Sequence, residues 1–291
     1  MAVYVAIPTY NRKGKLDRCL TCFEEQDTPP ALVVVCNATS TDGTEEMLAE
    51  RHPNVLSLRC TDDNWWTGTI NVCLTEILRR CKPDDYILCI NDDVEFGPEY
   101  VGRMLAAVRE APKRGVGSVV VDIDNPEIID DGGNSQSLMT GKHTQHNRFR
   151  RISEFPPGHE IAVNLLSGRG VIYPARAFIE LGLIAAEILS LYADYEFSLR
   201  CSRAGYDLAV NYGCVVKSEV KPTSFHDRTG DLTIGGLVQY FTSPRSSGNL
   251  RERLIFTRLA TGNLAHAILL FSFATGRATF RYLLGPRKIS G

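Results

Sequence analysis

The stretch Tyr86-Ile87-Leu88-Cys89-Ile90-Asn91-Asp92-Asp93-Val94 sets five apolar residues directly before an amide and two adjacent carboxylates. An apolar run of this length, followed by polar residues, predicts a buried strand that ends at a surface. Further apolar runs are Val3–Ile7, Leu32–Cys36, Val55–Leu58 and Val116–Val121. Helical patterns separate them, over Lys13–Gln26, Thr44–Arg51, Thr67–Cys81 and Pro98–Ala111. This alternation predicts an α/β fold, in which a mostly parallel central sheet has helices on both faces.

Composition and cysteine usage bound the class of protein. Of 291 residues, 44% are hydrophobic and 23% charged, which is typical of one large soluble domain, or of one domain with an appendage. Nine cysteines are scattered, and only Cys19 and Cys22 have CxxC spacing. We therefore expect reduced thiols in a cytosolic protein. We expect the apolar N-terminus to be a first strand rather than a signal peptide, and no run reaches the roughly 18 apolar residues of a membrane span.

The C-terminal tail differs in charge from the rest of the chain. From Arg245 onward it has eight Lys and Arg against one Glu, whereas the residues before it have 24 basic and 33 acidic side chains. Its first part predicts an amphipathic helix, with leucines on one side and arginines on the other: Leu250, Leu254, Leu259, Arg251 and Arg258. The apolar stretch Leu264–Ala274 follows. Such a tail is typical of a helix lying on an anionic membrane surface, with packing on the body or on a second subunit as the alternative. The acidic body does not favour binding of nucleic acid.

The carboxylates that follow the run Tyr86–Ile90 are the strongest chemical signal. Asp92 and Asp93 repel each other at the open end of a buried strand, and a bound divalent cation would relieve that repulsion. Hard oxygen ligands suit Mg²⁺ or Mn²⁺, and such a cation can neutralise a departing diphosphate. A solvated Asp-Asp turn is the alternative interpretation.

Polar segments also follow the first and second predicted strands. Pro8-Thr9-Tyr10-Asn11-Arg12 takes the place of a Gly-rich GxGxxG loop, so NAD or S-adenosylmethionine is not expected. An aromatic ring among hydrogen-bonding groups can instead hold a nucleoside, or the segment is only a turn. After the second strand, Asn37-Ala38-Thr39-Ser40-Thr41-Asp42-Gly43-Thr44 can bond a base edge, or it only caps the next helix.

In this order the three segments resemble the signatures of the family 2 glycosyltransferases, over residues 3–230. Ile7–Arg12 resembles the opening signature, Ser40–Thr44 the second-strand motif, and Asn91-Asp92-Asp93 the DxD metal motif. The resemblance implies the GT-A nucleotide-diphospho-sugar transferase fold, which has a Rossmann-like sheet. It implies a GT-A domain over residues 1–243, with a nucleotide-binding half at 1–120 and an acceptor-binding half at 121–243. Residues 244–291 then form the basic amphipathic helical tail.

The same resemblance implies an inverting, metal-dependent transfer of a sugar from a UDP- or dTDP-sugar to a hydroxyl of a glycan or lipid-linked acceptor. Asp194 resembles the general base that takes the proton of that hydroxyl, and a helix cap is the alternative. The implied donor-binding residues are Pro8, Thr9, Tyr10, Asn11, Arg12, Asn37, Thr39, Asp42, Asn64, Thr67, Gly68, Asn91 and Asp92. The implied sugar and acceptor residues are Trp65, Trp66, Ser167, Gly168, Arg169, Tyr195 and Glu196. The implied ligands of Mg²⁺ or Mn²⁺ are Asp93 and His226.

Several positions depart from the family pattern. Asn37 stands where the family usually has Asp, and Asn91 replaces the first acid of the DxD motif. Asn64-Trp65-Trp66-Thr67-Gly68 replaces a Gly-rich stretch, and with Asn-Asp-Asp-Val it resembles a bacterial branch of rhamnosyl- and galactosyltransferases of surface polysaccharides. Glu196 and Arg200, four residues apart on a predicted helix, are expected to form a structural pair.

Two other functions are compatible with a similar scaffold. A sugar nucleotidyltransferase would carry a Gly-rich, Arg-containing loop in place of Pro8–Arg12. A non-catalytic nucleotide- or carbohydrate-binding protein would not need Asp93, Asp194 and His226 together. We therefore expect a transferase. A lipid-linked acceptor and a basic tail predict a cytoplasmic protein held peripherally on the inner face of the cell membrane, with a homo-oligomer formed through the tail as the alternative.

Overall fold

The structure is a computed structural model, and it describes residues 1–61, 65–156, 158–188, 192–219, 234–243, 246 and 248–284. Its first half alternates strands and helices, as the apolar runs predict. The elements are β1 (Val3–Thr9), α1 (Lys13–Glu24), β2 (Leu32–Asn37), α2 (Thr44–Arg51), β3 (Leu56–Arg59), α3 (Trp65–Leu78), β4 (Tyr86–Cys89), β5 (Val94–Glu95), α4 (Tyr100–Val108) and β6 (Arg114–Asp122). Helix α4 begins at Tyr100 rather than at the predicted Pro98, which lies in the preceding turn.

The second half is less regular. Its elements are β7 (Ile129–Asp131), β8 (Asn134–Gln136), β9 (His143–Gln145), β10 (Glu160–Ala162), β11 (Val171–Pro174), α5 (Ala175–Leu181), α6 (Ala193–Arg203), β12 (Asp207–Ser218), α7 (Ile234–Thr242), α8 (Leu250–Thr261) and α9 (Leu264–Leu284). The segment 122–160, which lacks the strand–helix alternation of the first half, contains the antiparallel β8–β9 hairpin. Across the stretches that the structure describes, no helix is both long and apolar enough to cross a membrane.

The main sheet contains both parallel and antiparallel strands. Its order is β10-β12-β6-β11-β4-β1-β2-β3. Strands β4, β1, β2 and β3 are parallel, as predicted, and β6 is parallel to β12. Strand β11 runs antiparallel to both of its neighbours, and its first residue, Val171, pairs with Cys89 at the end of β4. The loop before β11 is therefore brought to the edge of the sheet where Asn91–Asp93 lie.

Helices cover both faces of the sheet, because side chains of successive strand residues point to opposite sides. On β1, Val5 and Ile7 belong to the core cluster that includes α1 and α4, whereas Ala6 belongs to the cluster that includes α3, α5 and α6. In the second cluster the rings of Phe178 and Phe197 stack at 4.5 Å. Helix α8 contributes buried Phe256 to the same cluster, so the first tail helix packs on the domain.

Candidate functional site

The carboxyl ends of three parallel strands meet at one edge of the sheet. Thr9, the last residue of β1, pairs with Asn37, the last residue of β2. Strand β4 lies on the other side of β1, and Asn91 follows its end. In open α/β sheets ligands bind beyond these ends. The three polar segments singled out in the sequence therefore lie at the expected edge.

An ion-pair cluster connects the segments after β1 and β4. Thr9 Oγ1 donates a hydrogen bond to Asp92 Oδ2 at 2.7 Å. Arg12 Nη1 donates to Asp92 Oδ1 and to Asp93 Oδ2, both at 2.9 Å. The guanidinium therefore offsets the repulsion between the adjacent carboxylates. Burial raises the pKa of Asp92 to about 6, against the opposing effects of Arg12 and Thr9.

Asp93 retains an unused oxygen. Its Oδ1 atom is buried and has no hydrogen-bond partner among the described residues. A buried polar atom without a partner calls for an explanation, and a carboxylate oxygen is a ligand of the kind that Mg²⁺ and Mn²⁺ prefer. The described residues contain no group of three or more His, Cys, Asp or Glu side chains that could hold a metal ion. Asp93 therefore fits a cation that would take most of its other ligands from diphosphate and water. His226, the other predicted ligand, lies outside the described residues.

The loops after β1 and β2 are bonded to each other. Asn11, at φ 49°, donates its backbone N–H to Ser40 Oγ at 2.8 Å and accepts from the N–H of Thr41 at 2.7 Å. Asp42 accepts from the N–H of Lys13 at 2.8 Å and from Thr44 Oγ1 at 2.5 Å. Asp42 thus fixes the start of α1 relative to the start of α2. The two loops form one rigid wall of the candidate donor site.

The two side chains predicted to hold the base lie in different surroundings. The Asn37 side chain is buried, and its Oδ1 accepts from the N–H of Ser40 at 3.1 Å. Its Nδ2 donates to Glu45 Oε1 at 2.8 Å, so only one N–H of the amide is left for a ligand. Tyr10 is 50% exposed at the same edge. Of the two, Tyr10 is the side chain more open to a base.

The remaining predicted donor residues are placed as follows. Pro8 lies within β1 opposite Cys36, and Thr39, at φ 51°, lies in the loop after β2. Thr67 is buried and donates to the carbonyl of Ile188 at 2.5 Å, which ties α3 to the segment before α6. Gly68 lines an open groove along α3 instead of the strand ends. Asn64 lies outside the described residues.

Trp66 connects the donor side to the loop before β11. Its Nε1 donates to Asn91 Oδ1 at 2.9 Å. A Cβ atom added at Gly168 would lie 2.7 Å from Trp66 Cζ2, so only glycine lets this backbone approach the indole ring. The predicted role of Trp66 as a wall of the sugar site is compatible with this position. Trp65 begins α3 at φ 50°.

Asp194 is held by backbone donors from two segments. Its Oδ2 accepts from the N–H of Gly168 and its Oδ1 from the N–H of Tyr195, both at 2.8 Å. The residue that precedes helix α6 is Tyr192, so Asp194 lies inside the first turn and not at the cap position. The simple capping alternative therefore does not describe its contacts. Asn91, Trp66, Gly168 and Asp194 form a continuous chain of contacts from the donor motif to the predicted base.

The surroundings of Asp194 shift its acidity. The Asp194 side chain is only partly exposed to solvent, and this burial raises its pKa to about 6 although the Gly168 and Tyr195 N–H bonds oppose the shift. The nearby charge of Asp131 also raises the pKa and that of Arg169 lowers it. A carboxyl with a pKa close to neutral pH is an effective general base, because it is both ionised and basic. The arrangement can accept a proton from a hydroxyl bound beside it.

Arg169 anchors acceptor-side residues that the sequence did not single out as site residues. Its Nη1 donates to Asp130 Oδ2 at 3.0 Å and its Nη2 to Asp131 Oδ2 at 3.3 Å. On the hairpin, His143 Nε2 lies 3.0 Å from Asn134 Oδ1, and the His143 ring lies 6.0 Å from that of Tyr195. In the sequence these aspartates form the adjacent pair Asp130-Asp131 before two glycines, a pattern typical of a turn.

Two other predicted acceptor residues make local contacts. Ser167 Oγ accepts from the N–H of Arg169 at 3.4 Å. Glu196 is buried, and its carboxylate pairs with Arg200 at 2.8 and 3.0 Å, as the four-residue spacing predicts. Arg200 also donates to the carbonyl of Leu181 at 2.6 Å. Glu196 therefore supports the helix that carries Asp194.

Comparison with known proteins identifies the family. The model of glycosyl transferase family 2 matches residues 4–161, which is more than half of the chain. The chain belongs to glycosyl transferase family 2. This membership makes the protein a glycosyltransferase, in agreement with the resemblance of its motifs.

Relatives of this family 2 glycosyltransferase include a curated enzyme of Mycobacterium tuberculosis. It is N-acetylglucosaminyl-diphospho-decaprenol L-rhamnosyltransferase, 26% identical over 222 residues, or 69% of this chain and 71% of the relative. Among solved structures, TarS residues 1–349 from S. aureus matches with a TM-score of 0.55 at 14% identity, covering 97% of this chain and 92% of that one.

Two further structures were solved with ligands. GalNAc-T7 with UDP, GalNAc and Mn²⁺ matches with a TM-score of 0.63 at 12% identity, over 99% of this chain and 59% of that one. The mannosyltransferase PcManGT of Pyrobaculum calidifontis, with GDP-Man and Mn²⁺, matches with a TM-score of 0.53 at 18% identity, over 96% and 80%. At these identities the similarity concerns the fold, and the predicted GT-A fold of this family 2 member is confirmed.

Proposed function

We propose that this family 2 glycosyltransferase moves a sugar from a UDP- or dTDP-sugar to a hydroxyl of a glycan or lipid-linked acceptor, with inversion, in the synthesis of a cell-surface polysaccharide. The observation that carries the proposal is the placement of Asp194, whose pKa is raised to about 6 and whose partner Gly168 packs on Trp66 of the donor side. Rhamnose and galactose are the sugars to test first. The name of the mycobacterial relative, an L-rhamnosyltransferase acting on a diphospho-decaprenol-linked sugar, favours rhamnose and a lipid-linked acceptor.

A single displacement needs one base. Asp194 takes the proton of the acceptor hydroxyl while that oxygen attacks the anomeric carbon from the side opposite the diphosphate, which inverts the configuration there. The N–H groups of Gly168 and Tyr195 occupy one lone pair on each carboxylate oxygen and hold the carboxylate in a fixed orientation. An acceptor hydroxyl bound beside the carboxylate meets the remaining lone pairs.

The donor diphosphate carries the charge that the site must accommodate. Mg²⁺ or Mn²⁺ held by Asp93 Oδ1 would supply charge neutralisation to the departing diphosphate. Arg12 keeps Asp92 and Asp93 side by side, because it bonds both carboxylates. The exposed ring of Tyr10 offers a surface for stacking the base.

The enzyme would work at the inner face of the cell membrane as a peripheral cytoplasmic protein. A lipid-linked acceptor places the reaction at the bilayer surface, and the tail from Arg245 onward has eight Lys and Arg against one Glu. The competing assignments, a sugar nucleotidyltransferase and a non-catalytic binding protein, have no comparable support once the family is known.

Donor class and metal dependence are tested together by thermal shift. We expect UDP- or dTDP-sugars to raise the melting temperature of the wild-type protein only when Mn²⁺ or Mg²⁺ is present, because a ligand of the native state stabilises it. Asp93→Asn should lose the metal-dependent part of that shift. Asp84→Asn, at an exposed aspartate paired with Arg176, is the matched control and should retain it.

Transfer is then measured with a polyprenol-diphospho-sugar acceptor and each stabilising nucleotide sugar. Product of inverted configuration is the expected result. Retained configuration would overturn the role of Asp194 as the base of a single displacement. A shift that is equally large with and without metal, and unchanged in Asp93→Asn, would overturn the metal assignment.

A further inference from the structure

Helix α9 turns a broad apolar face outward. Five of its large apolar side chains are between 52% and 71% exposed: Leu264, Ile268, Leu269, Phe273 and Phe280. At about 100° per residue these positions flank roughly half of the helix circumference, and the exposed small residues Ala265, Ser272 and Gly276 lie between them. Single exposed apolar residues are common, whereas a contiguous apolar patch marks an interaction site.

The opposite face of α9 packs on the acceptor side of the domain. Leu270 is buried there. His266 Nε2 lies 2.7 Å from the carbonyl oxygen of Leu138, and Arg277 Nη2 donates to the carbonyl of Thr140 at 2.6 Å. Both carbonyls belong to the turn between β8 and β9. Helix α9 therefore supports the β8–β9 hairpin directly.

The turn of this hairpin exposes a further large apolar side chain. Met139, between the two residues that bond to α9, is 82% exposed. Farther along the same hairpin, His143 lies with its ring 6.0 Å from the ring of Tyr195, the residue after Asp194. One short hairpin thus extends from helix α9 to the neighbour of the predicted base.

The exposed charged side chains of the neighbouring tail helix α8 have one sign. Arg251 and Arg258 are exposed on α8, and Glu252, the only acidic residue after Arg245, is 1% exposed. A second copy docking through the same face would bring two strongly basic tails together, which Coulomb repulsion opposes. An anionic bilayer instead offers hydrocarbon to the apolar side chains and negative charge to the arginines.

We infer that the outward face of α9, extended by Met139, docks on an anionic lipid bilayer with α9 lying along the membrane surface. The catalytic consequence rests on the proposed lipid-linked acceptor. Docking through this face places the β8–β9 hairpin at the bilayer, where it guides the acceptor headgroup towards Asp194. The tail and the acceptor side of the domain then act as one surface.

The test is co-sedimentation of the full chain with vesicles of phosphatidylcholine alone or mixed with phosphatidylglycerol. We expect binding to the mixed vesicles, and a loss of about tenfold or more in the Ile268→Asp/Phe273→Asp double variant, since two side chains no longer enter the hydrocarbon. Ile179→Asp, at an exposed isoleucine of α5, is the matched control and should bind like the wild type. Arg251→Ser/Arg258→Ser should lose several-fold on the mixed vesicles, by loss of charge attraction.

Three results would contradict or redirect the inference. The inference would be overturned if the wild-type protein bound neither kind of vesicle, or if the double variant bound as well as the wild type. A wild-type dimer that the double variant converts to a monomer in sedimentation velocity would assign the face to a second copy instead. Unchanged melting temperatures of the variants exclude misfolding as the cause, because the substituted side chains are exposed.

Failure of the proposed reaction can be told apart from failure of the docking surface. Vesicle binding does not depend on any sugar donor, so it remains measurable even if no transfer is found. If transfer occurs, the double variant should lose activity on an acceptor embedded in mixed vesicles and keep it on a short-chain, water-soluble acceptor. Equal activity of wild type and variant on the embedded acceptor would separate docking from catalysis.

Discussion

Asp92 on the donor side and Asp194 on the acceptor side are two aspartates whose pKa burial raises to about 6, yet their neighbours differ. Asp92 bonds a guanidinium and a hydroxyl, from Arg12 and Thr9. Among the described residues, Asp194 accepts hydrogen bonds from two backbone N–H groups, and the charges of Asp131 and Arg169 act on it with opposite sign. The negative charge of Asp92 is compensated by Arg12, so this carboxylate helps to hold the loop after β1 in place. The carboxylate of Asp194 remains able to accept a proton. Two aspartates with similar pKa values therefore serve different purposes, because their neighbours in the fold differ.

The largest expected effect is that of Asp194→Asn. The amide has nearly the same size but cannot accept a proton, so we expect the rate of transfer to fall by about 10²–10⁴-fold. The nucleotide-induced thermal shift should remain, because Asp194 lies on the acceptor side. The rate is measured with saturating donor, and Asp84→Asn again serves as the control. Near-wild-type turnover by Asp194→Asn would remove this residue from the role of base.

The pH dependence of stability should report the raised pKa of Asp194. Its pKa is about 6 in the folded protein and about 3.9 in an unfolded chain, so between these values the folded state binds more protons. The contribution to the free energy of unfolding is therefore fully present below about pH 4 and is lost as the pH rises through 6, by at most about 3 kcal/mol. Urea unfolding should show a shallower decline in Asp194→Asn than in wild type. If the free energy of unfolding fell equally with pH in both proteins, the result would contradict the raised pKa of Asp194.

Thr9→Val tests the compensation of Asp92. The substitution keeps the shape of the side chain and removes the O–H that donates to Asp92, so we expect a loss of about 1.5–3 kcal/mol in the free energy of unfolding. Thr75→Val is the control, since the exposed Thr75 hydroxyl bonds only a carbonyl of its own helix, and should change stability by less than about 0.5 kcal/mol. Equal effects at both positions would mean that the charge of Asp92 is not what the hydroxyl stabilises.

Gly168→Ala tests the contact that links the two sides. The added methyl group would lie 2.7 Å from Trp66 Cζ2, and such overpacking costs about 1–3 kcal/mol while it displaces the N–H that orients Asp194. Trp66→Phe makes room, so the double variant should recover part of both stability and transfer rate. Gly14→Ala, where the new methyl group meets nothing within 4 Å, is the control. Additive losses in the double variant would argue against a direct contact.

The sequence predicts those parts of the molecule that depend on local order. Strands β1, β2, β4 and β6 contain the apolar runs, and the donor segments follow directly after strand ends, so both were found. The antiparallel direction of β11 was not predicted, because Val171–Pro174 is too short a run to indicate the orientation of the strand.

Contacts between distant residues escaped prediction for a related reason. Asn37 bonds Glu45, and Arg169 bonds two aspartates 38 and 39 residues earlier in the chain. Such pairs are created by tertiary structure and leave no periodicity in the sequence. The four-residue spacing of Glu196 and Arg200 is local, and that pair was predicted.

The reversed strand β11 also has a consequence for biosynthesis. It fills the position between β4 and β6, which are made much earlier, so a growing chain carries two unpaired strand edges in the middle of its sheet until Val171–Pro174 leaves the ribosome. Unpaired edges of apolar strands are places where chains join one another wrongly. These two edges are therefore exposed during an interval of synthesis that ends with the insertion of four residues, and the same insertion brings the two halves of the site together.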